Sequence, residues 1–146
     1  MKFSGTVEIA APRDAVWTFV SDPTKVGSCG PGVESITPVD ATHYAAVAKV
    51  GVGFISARFN AAIEMAELIA PTTARIRVHG QAPGSAADAV ASMDLSGDPA
   101  GPTTMQWEAE VTISGTLASV GARMIEGTAN KLIGQTFDCI RAKLEA

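Results

Sequence analysis

Residues 60–68, NAAIEMAEL, carry the reading from which the fold follows. Alternate positions are apolar, Ala61, Ile63 and Met65, and the same parity runs back through Ala57 and Phe59. Between them stand Arg58, Asn60 and Glu64. Period two is the mark of a strand with one buried face and one wet face. The buried face is peculiar for its alanines, which are too small to fill an interior.

The same pattern recurs on either side. Phe3, Gly5, Val7 and Ile9 alternate with Ser4, Thr6 and Glu8. Further strand signals run over 33–39, 43–51, 54–69, 73–81, 86–96 and 103–114, joined by the turn-forming VDAT, VGVG, APTT, APGS and GDPAGP. Long strands with short links pair most economically as an antiparallel meander. Between the first two strands, Pro12 and Asp14 suit a helix start, and Ala15, Val16, Phe19 and Val20 give it an apolar face. Asp22-Pro23 ends it; a short second helix or turn, PTKVGS, leads to the turn CGPG at 29–32. After Gly115 the period becomes helical. With Thr116 as N-cap, a helix from Leu117 to about Lys143 would be roughly 40 Å long. Its apolar arc is centred on Ala118, Gly121, Ile125, Thr128, Leu132 and Thr136. The expected fold is α+β: residues 1–146 as one domain, with a seven-stranded curved antiparallel sheet wrapped around a long C-terminal helix.

The inward faces share the small lining. They are Tyr44, Ala46, Ala48, Val50 on the third strand and Ile55 to Met65 on the fourth. The fifth supplies Ala74, Ile76, Val78, Gly80, and the sixth Ala87, Ala89, Ala91, Met93, Leu95. The seventh supplies Met105, Trp107, Ala109, Val111, Ile113. Small residues can serve tight helix–sheet packing. A strongly curved sheet, however, cannot touch a straight helix along its whole length. An empty void of about 300 Å³ would cost about 7 kcal/mol at ~24 cal/mol per Å³. That rivals the stability of a whole domain, roughly 5–15 kcal/mol. Such a void is collapsed or filled. The expected cavity is lined by Tyr44, Phe59, Ile63, Met65, Ile76, Val78, Ala89, Ala91, Met93, Met105 and Trp107 from the sheet. Gly121, Met124, Ile125, Thr128 and Leu132 line it from the helix. The methionines suit an irregular, adaptable wall. No carboxylate or lysine faces inward, so a charged guest would be desolvated without a partner. The expected ligand is apolar and elongated.

Meander parity puts the links near 51–53, 82–85 and 114–116 at the end where the long helix begins. Val52, Phe54, Pro83 and Leu117 would then surround the cavity mouth. Apolar residues on glycine-rich tips suit transient contact with a membrane surface or a partner's apolar patch. Alternatively Phe54 and Leu117 plug the end of the core.

Other classes of function are poorly served. The net charge is −4, with 11 Lys+Arg against 15 Asp+Glu, and no basic cluster occurs, which argues against nucleic-acid binding. MKFSGTVEIA lacks the apolar run of a signal peptide, and nothing approaches the ~18 apolar residues of a membrane span. The chain reads as soluble and cytoplasmic. Cys29 and Cys139 make no secreted-type framework and are read as reduced structural residues, a bridge being the alternative. His43 and His79 lie at outward strand positions, and no Cys/His spacing offers a zinc site. No metal is expected. GVGFISA superficially resembles a dinucleotide loop but joins two strands, so the phosphate-binding helix is missing. No converging acid and base faces inward, so an enzyme such as a cyclase is not expected. Gly127 and Gly134 fall on the polar side of the helix.

Three stretches, APRDAVWTFVSDPTKVGSCGPGVESI, KVGVGFISARFNAAIEM and GTLASVGARMIEGTANKLIGQTFDCI, carry a resemblance spanning nearly the whole chain. Together they are similar to the carbon monoxide dehydrogenase CoxG family, the G-type subunits, within the helix-grip (START-like, SRPBCC) superfamily. The spacing G-x-L-A-x-x-G-x-R-x-I-x-G from Gly115 to Gly127, with Lys131 following, is the most specific part. The turn Cys29-Gly30-Pro31-Gly32 fits too, although the family often has an aliphatic residue where Gly30 stands. Gln135-Thr136-Phe137 replaces a common Gln-Phe-Phe. The resemblance implies an accessory protein of the molybdenum-containing aerobic carbon monoxide dehydrogenase that links the enzyme to the membrane. Many members carry an additional C-terminal tail. The superfamily implies an apolar tunnel. Together with the alanine lining, this leads to the expectation of an isoprenoid quinone, menaquinone, as ligand. The protein would then work at the cytoplasmic face of the inner membrane. The competing reading is an assembly or anchoring factor that holds no ligand.

Overall fold

A computed structural model describes residues 1–145. The elements follow the order β1 (Lys2–Ile9), α1 (Arg13–Val20), α2 (Pro23–Val26), β2 (Val33–Pro38), β3 (His43–Val52), β4 (Ile55–Ile69), β5 (Thr73–Ala82), β6 (Ser85–Gly97), β7 (Thr103–Gly115) and α3 (Ala122–Leu144). Short 3-10 turns at Gly27–Cys29 and Thr116–Val120 follow α2 and precede α3. All seven strands form one antiparallel sheet in the order β1-β7-β6-β5-β4-β3-β2. It is the expected meander, with β1 added beside β7. The alternation seen in NAAIEMAEL sets the register: Ile63 pairs with Tyr44 and Val78, and Ala61 with Ala46 and Gly80. Each row across the sheet therefore keeps its apolar side chains on one face. The ladder slips between Met65 and Glu67, so Leu68 rather than Glu67 faces inward opposite the buried Ala74. A bulge of this kind sharpens local bend and twist.

α3 starts later than its periodicity predicts. Gly115 and Gly121 sit at φ 83° and 98°. Only glycine takes such values readily, and the two flank a 3-10 turn that carries Leu117 instead of opening a continuous helix. Thr116 is thus no N-cap; Gly121 occupies that position, with no capping side chain. The 23 residues of α3 span about 34 Å.

The two cysteines are bonded to each other, contrary to the reduced state expected. The fold closes a separation of 110 residues by laying the 3-10 turn at Gly27–Cys29 against the last turns of α3, with Cα atoms 5.4 Å apart. Nearby, Lys143 donates to Ser28 Oγ at 2.7 Å, and the Ala10 amide donates to Glu145 at 2.9 Å. Beneath these ties lies a packed cluster of Ile9, Val16, Val20, Ala74, Leu95, Met105 and Ile140. Trp17, not foreseen as a core residue, joins its edge.

Candidate functional site

The concave face of the sheet and the facing side of α3 define the site. Its side chains come from alternate positions of β3 to β7. On α3 they come from Ile125, Thr128, Leu132 and Thr136, all on the side turned away from the exposed Gly127 and Gly134. The core is not continuous along this interface. Buried side chains form two separate clusters. One is the base cluster beside the disulfide. The other lies at the opposite end and consists of Val52, Phe59, Leu117 and Ile125.

Between the clusters, Tyr44, Ala48, Ala61, Ile63, Val78, Ala89, Ala91, Ala109 and Val111 belong to neither. All are inward by register, yet all are only half-buried. Thr128 and Leu132 are half-buried opposite them. The backbone of α3 comes nearest to β1, β3 and the two 3-10 turns. The helix therefore bridges two packed ends over a span of small, incompletely covered side chains. Trp107 and Phe137 mark its inner limit, with ring centroids 5.4 Å apart. A Cβ on Gly5 would come within 3.0 Å of the Trp107 indole nitrogen, so glycine there makes room for the ring.

The expected lining residues divide accordingly. Tyr44, Ile63, Val78, Ala89, Ala91, Thr128 and Leu132 border the loosely covered span. Ile76 and Trp107 lie against the base cluster, which takes in Met93 and Met105. Phe59 and Ile125 belong to the far cluster, and Met65 is buried. Two expectations fail. Gly121 lines nothing: it is exposed, and a Cβ there would meet open space. Met124 is 45% exposed and lies over Gly53, outside the span. The first error comes from projecting one helix through the glycine break at 121; Met124 lies beyond the break but about 100° around α3 from Ile125, off the inner arc. The expected mouth also divides. Val52 and Leu117 are buried and close that end, whereas Phe54 is 94% exposed and Pro83 is exposed.

Polarity within the span is sparse. Among the described residues no charged side chain is fully buried; Thr103 is the buried polar residue, donating to the Ala11 carbonyl at 2.9 Å. Thr136 donates to the Leu132 carbonyl at 2.8 Å, which leaves Tyr44 and Thr128 as the half-buried hydroxyls. No group of three or more His, Cys, Asp or Glu able to hold a metal occurs among the described residues.

The outer face holds a groove of about 650 Å³ whose lining mixes the ionisable His43, Glu64, Arg77, His79 and Asp88 with Ala45, Ala62 and Val90, and also reaches Tyr44, Ile63, Val78 and Ala89. Its ionisable groups pair across it. His43 contacts Asp40 at 2.9 Å and Glu64 at 3.4 Å, and His79 contacts Asp88. The Asp40 hydrogen bond and charge raise the His43 pKa above its ordinary value. Asp40 is lowered by the Thr42 amide and by His43. Arg58 forms a two-bonded pair with Glu34, at 2.7 and 3.0 Å, and lowers that carboxyl. Paired charges of this kind keep the face solvated.

Residues 5–145 match the family model for CoxG, the G-type subunit of carbon monoxide dehydrogenase. The chain belongs to that family. No curated protein matches the sequence. Among solved structures, this CoxG chain is similar to a conserved protein from Geobacillus kaustophilus, at 23% identity and a TM-score of 0.91, covering 99% of this chain and 95% of that one. The Zhui aromatase/cyclase from Streptomyces sp. R1128 follows at 15% identity and 0.73, covering 99% and 93%. A START superfamily protein from Mycobacterium smegmatis matches at 17% and 0.69, covering 99% and 97%. At these identities the likeness establishes the START-like helix-grip fold of the CoxG chain. The family's name ties its members to carbon monoxide dehydrogenase. No helix among the described residues is long and apolar enough to cross a membrane.

Proposed function

We propose that this protein is a non-catalytic accessory of carbon monoxide dehydrogenase that carries an elongated apolar molecule between its sheet and α3. The ligand is an isoprenoid quinone of the menaquinone type, taken from the cytoplasmic face of the inner membrane and presented to the enzyme for reduction. One observation carries the reading: two packed clusters separated by a span whose inward side chains are apolar, many of them alanine, and half-buried apart from Ala46 and Met65. An unfilled apolar surface of that kind is stabilised by a guest that covers it. Tyr44 and Thr128 offer the hydroxyls that a quinone carbonyl would need. A hydrocarbon tail needs only the alanines, Ile63, Val78 and Leu132.

Organic extraction of the purified protein followed by mass spectrometry tests this. Quinone or another polyisoprenoid is expected in the wild type and absent from Ala89→Trp, whose indole would occupy the span between Val78 and Val111. Equal lipid content in the two proteins overturns the reading.

A second reading draws on the burial of Val52 and Leu117, which closes the loop end. A protein sealed there could anchor or assemble the dehydrogenase without holding a ligand. Its signature is enzyme binding that survives Ala89→Trp, with no lipid in the wild type.

A further inference from the structure

The two ends of α3 are held in opposite ways. Its first turn follows Gly121, which sits at φ 98° with no capping side chain and open space where a Cβ would be. Its last turns are bonded through Cys139 to Cys29 of the first 3-10 turn. Between these ends the helix rests on two buried side chains, Ile125 in the far cluster and Ile140 in the base, about four turns apart. Thr128 and Leu132, over the span, are only half-buried and add little hold. The other ties at the base are Lys143 to Ser28 Oγ at 2.7 Å and the Ala10 amide to Glu145 at 2.9 Å, both on the surface, where water competes for them. The chain has two cysteines, so their bond is the one covalent restraint on the helix that covers the span. At the loop end, Val52 and Leu117 are buried and close the span. A molecule held beneath α3 must therefore pass where the helix lifts.

We propose that the bond between Cys29 and Cys139 is a reversible latch: reduction by a dithiol frees the C-terminal half of α3 to pivot about Gly121 and opens the base end of the span for exchange of its guest. Phe137 couples the latch to the span. It lies two residues before Cys139 and meets Trp107 at the inner limit, with ring centroids 5.4 Å apart, so lifting this part of α3 separates the two rings. The chemistry is thiol–disulfide exchange. Cys29 is 5% exposed and Cys139 half-buried, so the reductant's thiolate attacks Cys139 Sγ. The electron pair of the S–S bond leaves on Cys29 Sγ, which takes up a proton. The reductant's second thiol then gives up its proton and attacks the reductant's own sulfur in the mixed disulfide, and Cys139 departs as a thiolate and is protonated. The products are two protein thiols and the reductant's disulfide. Lys143 assists the first step. It stands one turn after Cys139, and its ammonium is bonded to the Ser28 hydroxyl beside Cys29, which places positive charge near the leaving thiolate. The latch regulates the site of the carrier reading and rests on that reading for its purpose, though its hydrogen-exchange test does not.

The test compares the oxidised protein, the protein in dithiothreitol, and the double variant Cys29→Ser with Cys139→Ser, each held below its unfolding temperature as followed by circular dichroism. Amide hydrogen exchange, read by mass spectrometry, should rise roughly tenfold or more over residues 136–144 of α3 in the two unbonded forms and stay unchanged in β6 and β7. The uncharged fluorophore N-phenyl-1-naphthylamine is then loaded into each protein and diluted into excess phosphatidylcholine vesicles. It should leave the unbonded forms roughly tenfold faster than the oxidised one. Dithiothreitol should not speed its release from the double variant. The proposal is overturned if dithiothreitol does not reduce the folded protein, if the reduced protein unfolds as a whole, or if bonded and unbonded forms release the fluorophore at the same rate. The last result would leave the carrier reading standing. Faster exchange over 136–144 with no fluorophore bound to any form would end the carrier reading and uphold the latch on α3.

Discussion

The base of the molecule and its middle are built from the same sheet and the same helix, yet they differ in what holds them together. At the base, α1, β1, β7 and the last turns of α3 bring Ile9, Val16, Met105 and Ile140 to near-complete burial, and the disulfide, Lys143 and Glu145 tie the helix down. In the middle, Ala48, Ala61, Ala89 and Ala91 on the sheet and Thr128 and Leu132 on α3 are only half-buried. The base has the bulk and the crosslinks of a stability core. The middle has the alternation of a core without its volume. Stability and capacity are thus assigned to different lengths of one interface.

Several measurements would break or sharpen that contrast. The largest effect belongs to Ile140→Ala, which opens a cavity in the base and should cost about 2–5 kcal/mol in denaturant unfolding. A loss no larger than that of a surface substitution would mean the base is not the stability core. Replacing Cys29 and Cys139 by serine should cost about 2–4 kcal/mol, because the bridge constrains a long loop in the unfolded chain. Reductant should destabilise the wild type by a similar amount and leave the double variant unchanged. In the middle, Ala91→Leu probes the opposite condition. Overfilling a packed core costs about 1–3 kcal/mol, so a Leu in an incompletely covered span should cost under about 1 kcal/mol or stabilise the ligand-free protein. A penalty as large as at the base would show that the middle is already full.

The smallest effect concerns the outer face. The His43 pKa is raised by Asp40, so the pair's contribution is fully present below the unfolded histidine value and is lost as pH rises through the folded one. Asp40 is lowered, so its own contribution is present above the unfolded carboxylate value and lost as pH falls through the folded one. Both groups are exposed, and solvent screens the pair. A proton-resonance titration should place His43 above the ordinary histidine value, and Asp40→Asn should return it toward that value while leaving the stability of the base unchanged.

Much of this was legible in the order of residues. Period two in NAAIEMAEL and its neighbours predicts six strands of the meander to within a residue or two, because each strand has one wet face and one apolar face. The inward alanines announced an interior short of bulk. The path of α3 before residue 122 was less legible. Apolar spacing continued through Leu117, but Gly115 and Gly121 adopt a backbone that breaks the helix, which moved Gly121 off the inner wall. The split among the four residues expected at the mouth was likewise invisible. Val52 and Phe54 differ in burial through their place on one hairpin, and alternation alone gives both the same face.

By itself the sequence determined the strands, their faces and the shortage of side-chain volume, because alternation and residue size are local properties. Only the tertiary structure decided where that shortage falls, which end is sealed, and that Cys29 meets Cys139. Those depend on how a bent sheet and a straight helix approach each other: they touch at the ends, and distances across 110 residues of chain are set by that contact and by nothing in the spacing of the residues themselves.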